Sequence, residues 1–236
     1  MLRKGLNRGA ISPLLLFLKR TAIGSVAALA VSCSSHSPPS ALYAGGYLSD
    51  RGVVRVWRKD DPAQQQTALM TVFSPFNGQS TQITRYHFQQ NAVREITQSK
   101  SAPDKEDVRI RFDSKGAVSY MQRQLTDRRE LLSDDDIALY QFDAVRLLEM
   151  SAAMRTGNVH LWQGQWQDGV VVTCSGQRIR PGLDSRASQR IAQRQKRSSV
   201  PLSIAWLESP EGTQLLLVAN EDFCRWEPTA ESLQSD

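Results

Sequence analysis

The sequence predicts an α+β fold: an antiparallel β-sheet meander packed by one long helix, with a short basic helix in addition. Two observations lead to this fold class. Short segments with strand character, separated by turn-forming residues, fill the first half and the last third of the mature chain. Between them lies one long segment with the helical period of 3.6 residues.

Six strand segments are predicted in the first half, at residues 46–58, 68–76, 81–89, 92–98, 108–112 and 117–125. The clearest of them alternates the apolar residues Val108, Ile110 and Phe112 with charged neighbours, which is typical of a half-buried strand. Gln90 and Asn91 predict a tight turn between two of the strands. We therefore expect a sheet with one dry face and one solvated face.

The long helix is expected to begin after Ser133 and to end at Gly157. Ser133 and Asp136 have the spacing of a capping box, and Gly157 is typical of a C-terminal stop. The three aspartates 134–136 raise the alternative of a metal site. Acidic residues in the first turn complement the helix dipole without a metal, so we expect neither a metal nor a cofactor.

Two hairpins are predicted in the last third of the chain. The first joins residues 159–166 to 170–175 through Gln167-Asp168-Gly169, and the second joins 202–208 to 213–219 through Pro210-Glu211-Gly212. An Asp-Gly pair between strand segments is the strongest short-range hairpin signal.

A basic segment lies between these hairpins: residues 178–197 contain seven basic residues and one acidic residue. If Asp184 caps a helix, four arginines fall on one of its faces: Arg186, Arg190, Arg194 and Arg197. This face is predicted to meet an anionic partner, either an anionic lipid or an acidic envelope protein. The alternative is a solvated surface helix, with or without ion pairs to acids elsewhere on the same domain.

The N-terminus is predicted to be a lipoprotein signal. Residues 1–32 contain a basic region followed by an apolar stretch, 21–30, that is too short to span a bilayer. Ala30-Val31-Ser32-Cys33 resembles a lipobox, which makes Cys33 the expected lipidation site; the alternative is an ordinary secretory signal cleaved nearby. Residues 33–45 then form the lipidated N-terminus and a flexible tether, and residues 46–236 form a single periplasmic α+β domain.

Removal of this signal changes the charge of the protein. The full chain has a formal net charge of +5, and residues 1–32 hold five basic and no acidic residues. The mature chain is therefore close to neutral, which removes the global-charge argument for nucleic-acid binding.

The three cysteines have separate expected roles. Lipidation of Cys33 leaves Cys174 and Cys224 as a pair. In an oxidising compartment such a pair is expected to form a disulfide; the alternative is two buried, unpaired thiols.

No catalytic motif was found, and we do not expect an enzyme. His36, His87 and His160 do not have metal-ligand spacing or an evident nucleophile partner. The five tryptophans have two interpretations, ordinary core residues or the lining of an apolar cavity. They are Trp57, Trp162, Trp166, Trp206 and Trp226.

Several segments together resemble a known family. They are GYLSDRG at 46–52 running into RVWR at 55–58, DIALYQFD at 136–143, AWLE at 205–208 and NEDFCRW at 220–226. With the leader and Cys33, they resemble the YjaH-like family of enterobacterial lipoproteins, a domain of unknown function. The resemblance implies a gammaproteobacterial envelope protein without an assigned activity, cofactor or catalytic residue.

The expected function is therefore that of a lipid-anchored envelope protein that acts by binding or scaffolding. Ser34 after Cys33 resembles the pattern of lipoproteins sent to the outer membrane, where the domain would face the periplasm. The alternative function is a carrier of a hydrophobic ligand, a lipid or acyl chain, in an apolar cavity between the sheet and the long helix.

Overall fold

A computed structural model describes residues 42–78 and 80–234 of the chain. The signal segment, Cys33, His36 and most of the predicted tether lie outside the described residues. Within these residues the predicted class is confirmed: the fold is a sheet-dominated α+β fold with a few helices.

The strands of the first half form one antiparallel sheet, here called sheet 1, in which every strand pairs with its neighbour in sequence. Its strands are β1 (Tyr43–Leu48), β2 (Gly52–Asp61), β3 (Gln66–Pro75), β4 (Gln82–Gln89), β5 (Ala92–Lys100), β6 (Glu106–Phe112), β7 (Val118–Leu125) and β8 (Arg129–Glu130). The predicted turn at Gln90 and Asn91 is present, and both residues have positive φ. β1 begins inside the predicted tether because Tyr43 is buried and donates a hydrogen bond to Val159 O at 2.6 Å.

The later strands form a second sheet, sheet 2, which the prediction of a single meander missed. Its order is β11-β10-β9-β12-β13, so that β9 pairs with β12 across the intervening basic segment. The strands are β9 (His160–Gln167), β10 (Val170–Thr173), β11 (Arg178–Ile179), β12 (Ser203–Ser209) and β13 (Gly212–Ala219). Asp168 and Gly169 have positive φ at the predicted hairpin turn.

The long helix and the basic helix are both present. α1 (Asp134–Thr156) has the predicted capping box, with Asp136 N donating to Ser133 Oγ at 3.1 Å and Ser133 N donating to Asp136 Oδ2 at 3.1 Å. α2 (Ser185–Lys196) is the basic helix. A short third helix, α3 (Ala230–Gln234), follows a 3-10 turn at Phe223–Trp226.

Three apolar clusters hold these elements together in layers. The first lies between the sheets and contains Trp57 and Met70 of sheet 1 with Leu161 and Ala205 of sheet 2. The second lies between α1 and sheet 1, from β3 to β7. The third lies between α2 and the outer face of sheet 2. Each sheet therefore has one face in the shared core and a helix against its other face.

A buried arginine side chain connects the two sheets within the core. Arg55 of β2 is fully buried and donates to Gln163 Oε1 of β9 at 2.9 Å and to Ser74 Oγ at 3.1 Å. Burial lowers the pKa of Arg55 to about 10, although Glu221 and Glu227 oppose the shift. Gln163 also donates to Glu227 Oε2 at 2.8 Å, so that one polar network fixes how the sheets lie against each other.

The disulfide that the cysteine count predicts is present. Cys174, just after β10, is bonded to Cys224 in the 3-10 turn, at a sequence separation of 50. The bond therefore connects one hairpin of sheet 2 to the segment that follows the other. Within the described ranges no helix has both the length and the hydropathy needed to cross a bilayer.

Candidate binding surface

α2 turns its arginines away from the core. Asp184 caps the helix, its Oδ1 accepting from Ala187 N at 2.7 Å. Ala187 and Ile191 are buried against sheet 2, and this packing fixes the rotation of the helix. The four predicted arginines are consequently all exposed on one side: Arg186, Arg190, Arg194 and Arg197.

The arginines of this face have no acidic partner at ion-pair distance among the described residues. In the part of the chain that the structure describes, no acidic side chain forms a salt bridge with any of the four. The contact made by Arg194 is to a neutral amide, Nε donating to Asn220 Oδ1 at 2.9 Å. Ion pairing with acids of the same domain is therefore not seen among the described residues, and a solvated helix face without such pairs is left as the alternative to a binding face.

Three of the four arginines line a groove. Arg190, Arg194 and Arg197 form one wall of a cavity of about 640 Å³, from which Arg186 is absent. The opposite wall comes from the end of β3 and the connection between β3 and β4, and the floor from consecutive residues of β13. These are Ser74, Pro75, Phe76, Gly78 and Thr81, and then Leu216, Leu217, Val218 and Ala219. We call this cavity the arginine groove.

The arginine groove combines positive charge with an exposed aromatic side chain. Phe76 is 59% exposed, although it lies beside apolar residues of β13. Glu221 also lines the groove, but its carboxylate accepts from Arg225 Nη2 at 2.8 Å and from Trp226 Nε1 at 2.9 Å. The groove therefore presents guanidinium donors and apolar surface, the combination that suits an anionic partner with apolar side chains.

A second cavity, of about 910 Å³, lies between β1, β2 and β9. Its polar centre is Asp60, which accepts from Arg58 Nε at 3.0 Å, from Thr67 Oγ1 at 2.7 Å and from Arg155 of α1. Burial acts to raise the pKa of Asp60, but the hydrogen bonds from Arg58, Thr67 and Arg155 outweigh it, and the pKa lies below its ordinary value. Both arginines of this cavity are thus already satisfied within the domain.

The lowered pKa of Asp60 gives a prediction for acid conditions. Because the folded pKa lies below the unfolded value of about 3.9, ionised Asp60 stabilises the fold above that pH, and this contribution is lost as the pH falls through the folded pKa. We expect Asp60→Asn to lower the free energy of unfolding by about 2 kcal/mol at pH 7. Urea denaturation should show that the difference in the free energy of unfolding between the variant and the unchanged protein becomes small below about pH 4. A difference that stays constant from pH 7 to pH 2.5 would contradict the prediction.

The remaining predicted candidates do not gather into one site. His160 lies at the second cavity, edge-on to the ring of Tyr43 at 6.1 Å between centroids, whereas His87 lies on β4. Among the described residues no three His, Cys, Asp or Glu side chains are grouped so as to hold a metal ion. Trp57 belongs to the cluster between the sheets, and Trp206 to the cluster under α2.

Sequence reasoning missed Phe76 and β13 as parts of the site. It placed Phe76 at the end of a strand and β13 in a hairpin, and neither position carries a charge that points to the basic helix. The available signal was Pro75-Phe76-Asn77-Gly78, a large aromatic residue between turn-forming residues, where exposure is expected.

Comparison with known proteins gives a family and one curated relative. The family model described as a protein of unknown function (DUF1481) matches residues 44–229. The uncharacterized protein YjaH of Escherichia coli (strain K12) is 42% identical over 224 residues, which cover 94% of this chain and 96% of the relative. No solved structure matches.

Proposed function

Because the chain belongs to the DUF1481 family of proteins of unknown function, as the resemblance predicted, we propose a role on the basis of its own surface. The protein is a lipid-anchored scaffold of the cell envelope that binds an acidic partner protein through the arginine groove. The observation that carries the proposal is the row of exposed arginines at α2, three of which line the groove and none of which forms an ion pair with an acid among the described residues.

Arginine chemistry supports a protein or other multiply charged partner. The guanidinium group offers several fixed N–H donors and pairs with carboxylates in a bidentate manner. Three such groups on successive turns of α2 line one wall of the groove. A partner with several carboxylates in a row is therefore favoured over a partner with a single negative charge, since each contact at the exposed rim contributes little alone.

The apolar side of the groove supports a protein partner over a lipid surface. Phe76 is exposed and lines the same groove as the arginines and the apolar residues of β13. A flat membrane surface does not reach into such a groove, whereas a narrow segment of polypeptide does. The proposed anchor at Cys33 would keep the domain close to other envelope proteins.

The test compares two variants with the same change in charge. Arg190→Glu/Arg194→Glu/Arg197→Glu reverses the charges of the groove, and Arg111→Glu/Arg128→Glu/Arg129→Glu reverses three arginines of β6 and of the β7–β8 hairpin. Binding of labelled poly-L-glutamate to the full chain in detergent is measured by fluorescence anisotropy at low ionic strength, because exposed charges are screened by salt. We expect the groove variant to bind at least about a hundredfold more weakly, since each tenfold corresponds to about 1.4 kcal/mol.

The control variant should bind within about threefold of the unchanged protein, and circular dichroism should show that both variants are folded. Equal losses in the two variants would mean that net charge alone drives binding and would overturn the proposal. The binding of the same proteins to mixed micelles that contain phosphatidylglycerol is measured as well. If these micelles bind through the same arginines while poly-L-glutamate does not, the partner is an anionic lipid and the scaffold proposal is wrong.

A further inference from the structure

The floor of the arginine groove is an edge of a β-sheet. β13 is the last strand of sheet 2 and pairs on one side only, with β12. Leu216, Leu217, Val218 and Ala219 all line the groove. Leu216, Leu217 and Ala219 pack toward the cluster between the sheets and Val218 toward the cluster under α2. Residues from both faces of β13 therefore line the groove, as expected where it runs along the edge of the strand.

Among the described residues, the main chain of this edge pairs only with β12. In the described parts of the chain, the backbone groups of residues 215–219 that do not bond to β12 make no hydrogen bond to a loop or to another strand. A row of unpaired N–H and C=O groups is a template for a further strand. The bulge in the β12–β13 pairing lies at Leu216, between the pairs Ala205–Leu217 and Trp206–Leu215, and leaves residues 217–219 in regular register.

We infer that the acidic partner binds as an added β-strand along β13, with acidic side chains toward α2 and apolar side chains toward Phe76. This inference rests on the proposed function, since it specifies how the partner occupies the arginine groove. It follows the known mode in which an extended peptide joins a sheet edge: main-chain hydrogen bonds give affinity, and alternate side chains give specificity.

The layers of the fold determine the side-chain pattern. α2 covers the outer face of sheet 2, whereas Phe76 directly follows β3 of sheet 1. An added strand places its odd-numbered side chains toward one of these and its even-numbered side chains toward the other. A segment in which acidic and apolar residues alternate therefore satisfies both walls. The lined part of β13 is four residues long and extends about 13 Å, at about 3.3 Å per residue.

Charge argues against a second copy of this chain as the occupant. Pairing of β13 with β13 of another copy would bring two sets of Arg190, Arg194 and Arg197 to one place. Like charges brought together across an interface cost free energy, and natural edge strands use such charges to prevent self-association. The same arginines that repel a second copy attract an acidic strand.

The test uses three versions of one synthetic peptide, ten residues long, in which aspartate alternates with valine. One is unmodified, one is N-methylated at the aspartates and one is N-methylated at the valines. N-methylation removes main-chain donors from one edge of the strand and leaves the charge unchanged. Binding of each to the full chain in detergent is measured by fluorescence anisotropy. An added strand uses one edge only, so we expect one methylated peptide to bind at least about tenfold more weakly and the other to bind like the parent.

The outcomes separate this inference from the proposed function. If both methylated peptides bind like the parent, or if both are weakened equally, strand addition is wrong, although binding by charge stands. If the parent peptide does not bind at 1 mM but poly-L-glutamate does, strand addition is wrong and the proposed function is unaffected. If the parent binds equally well to the Arg190→Glu/Arg194→Glu/Arg197→Glu variant, the arginine groove is not the site and both proposals fall.

Discussion

Replacement of Cys174 and Cys224 by alanine is expected to lower the free energy of unfolding by about 4 kcal/mol. The bond closes a loop with a sequence separation of 50, and a loop of that length removes about 4 kcal/mol of conformational entropy from the unfolded chain. For a domain of this size, that loss corresponds to a fall in Tm of about 8–16 °C.

Chemical denaturation of the full chain in detergent, followed by tryptophan fluorescence, measures this loss. The unchanged protein in reductant should unfold at the same denaturant concentration as the double variant, and reductant should not affect the variant further. A difference of less than about 1 kcal/mol between the variant and the unchanged protein would show that the bond does not constrain the unfolded chain as the entropy argument requires.

Trp206→Ala is expected to cost about 4 kcal/mol, an effect of similar size with a different cause. Trp206 of β12 is fully buried beneath α2 and lies parallel to Trp162, with 6.3 Å between ring centroids. Its removal leaves a cavity between α2 and sheet 2, and cores relax only partly around such cavities. Urea denaturation followed by circular dichroism gives the free energy directly.

Trp206→Phe is the matched variant. It retains an aromatic ring in the cluster and removes the hydrogen bond that Nε1 donates to Glu208 Oε1 at 2.9 Å. We expect a loss of about 1–2 kcal/mol, the contribution of one hydrogen bond to a charged group and some packing. If the two substitutions have equal effects, the hydrogen bond rather than the volume of the side chain stabilises this layer, and the cavity argument fails.

The sequence predicted those parts of the fold that local patterns determine. Val108, Ile110 and Phe112 are buried on one face of β6, as predicted. Their alternation with charged residues indicates a strand with one solvated side. The capping box of α1 is present for the same kind of reason, since its two partners are three residues apart. The hairpin at Asp168-Gly169 depends on two adjacent residues that tolerate positive φ.

The division into two sheets could not be predicted in this way. Alternation indicates which face of a strand is buried but not which other strands share its sheet. β9 pairs with β12, and the connection between them includes β10, β11 and α2. One signal was present: β3 reads as a nearly continuous apolar run, with Leu69 packed toward α1 and Met70 toward sheet 2. Such a run indicates a strand covered on both faces.

The candidate site, too, could be predicted from the sequence only in part. The arginine face follows from the spacing of Arg186, Arg190, Arg194 and Arg197 and from the cap at Asp184, all within one helix. The groove does not follow from the sequence, because its second wall is Phe76, which lies more than a hundred residues earlier in the chain. Only tertiary packing of sheet 1 against sheet 2 brings that residue near α2.

The position of the disulfide affects how the molecule carries a mechanical load. α2, β12 and β13 all lie inside the loop that the Cys174–Cys224 bond closes. A force on β13 directed away from β10 would, in a chain without the bond, draw out this segment, which extends about 170 Å at about 3.4 Å per residue. The bond gives the load a short covalent path through Cys224 to β10. The disulfide therefore prevents the residues of this loop from being drawn out by a force on β13.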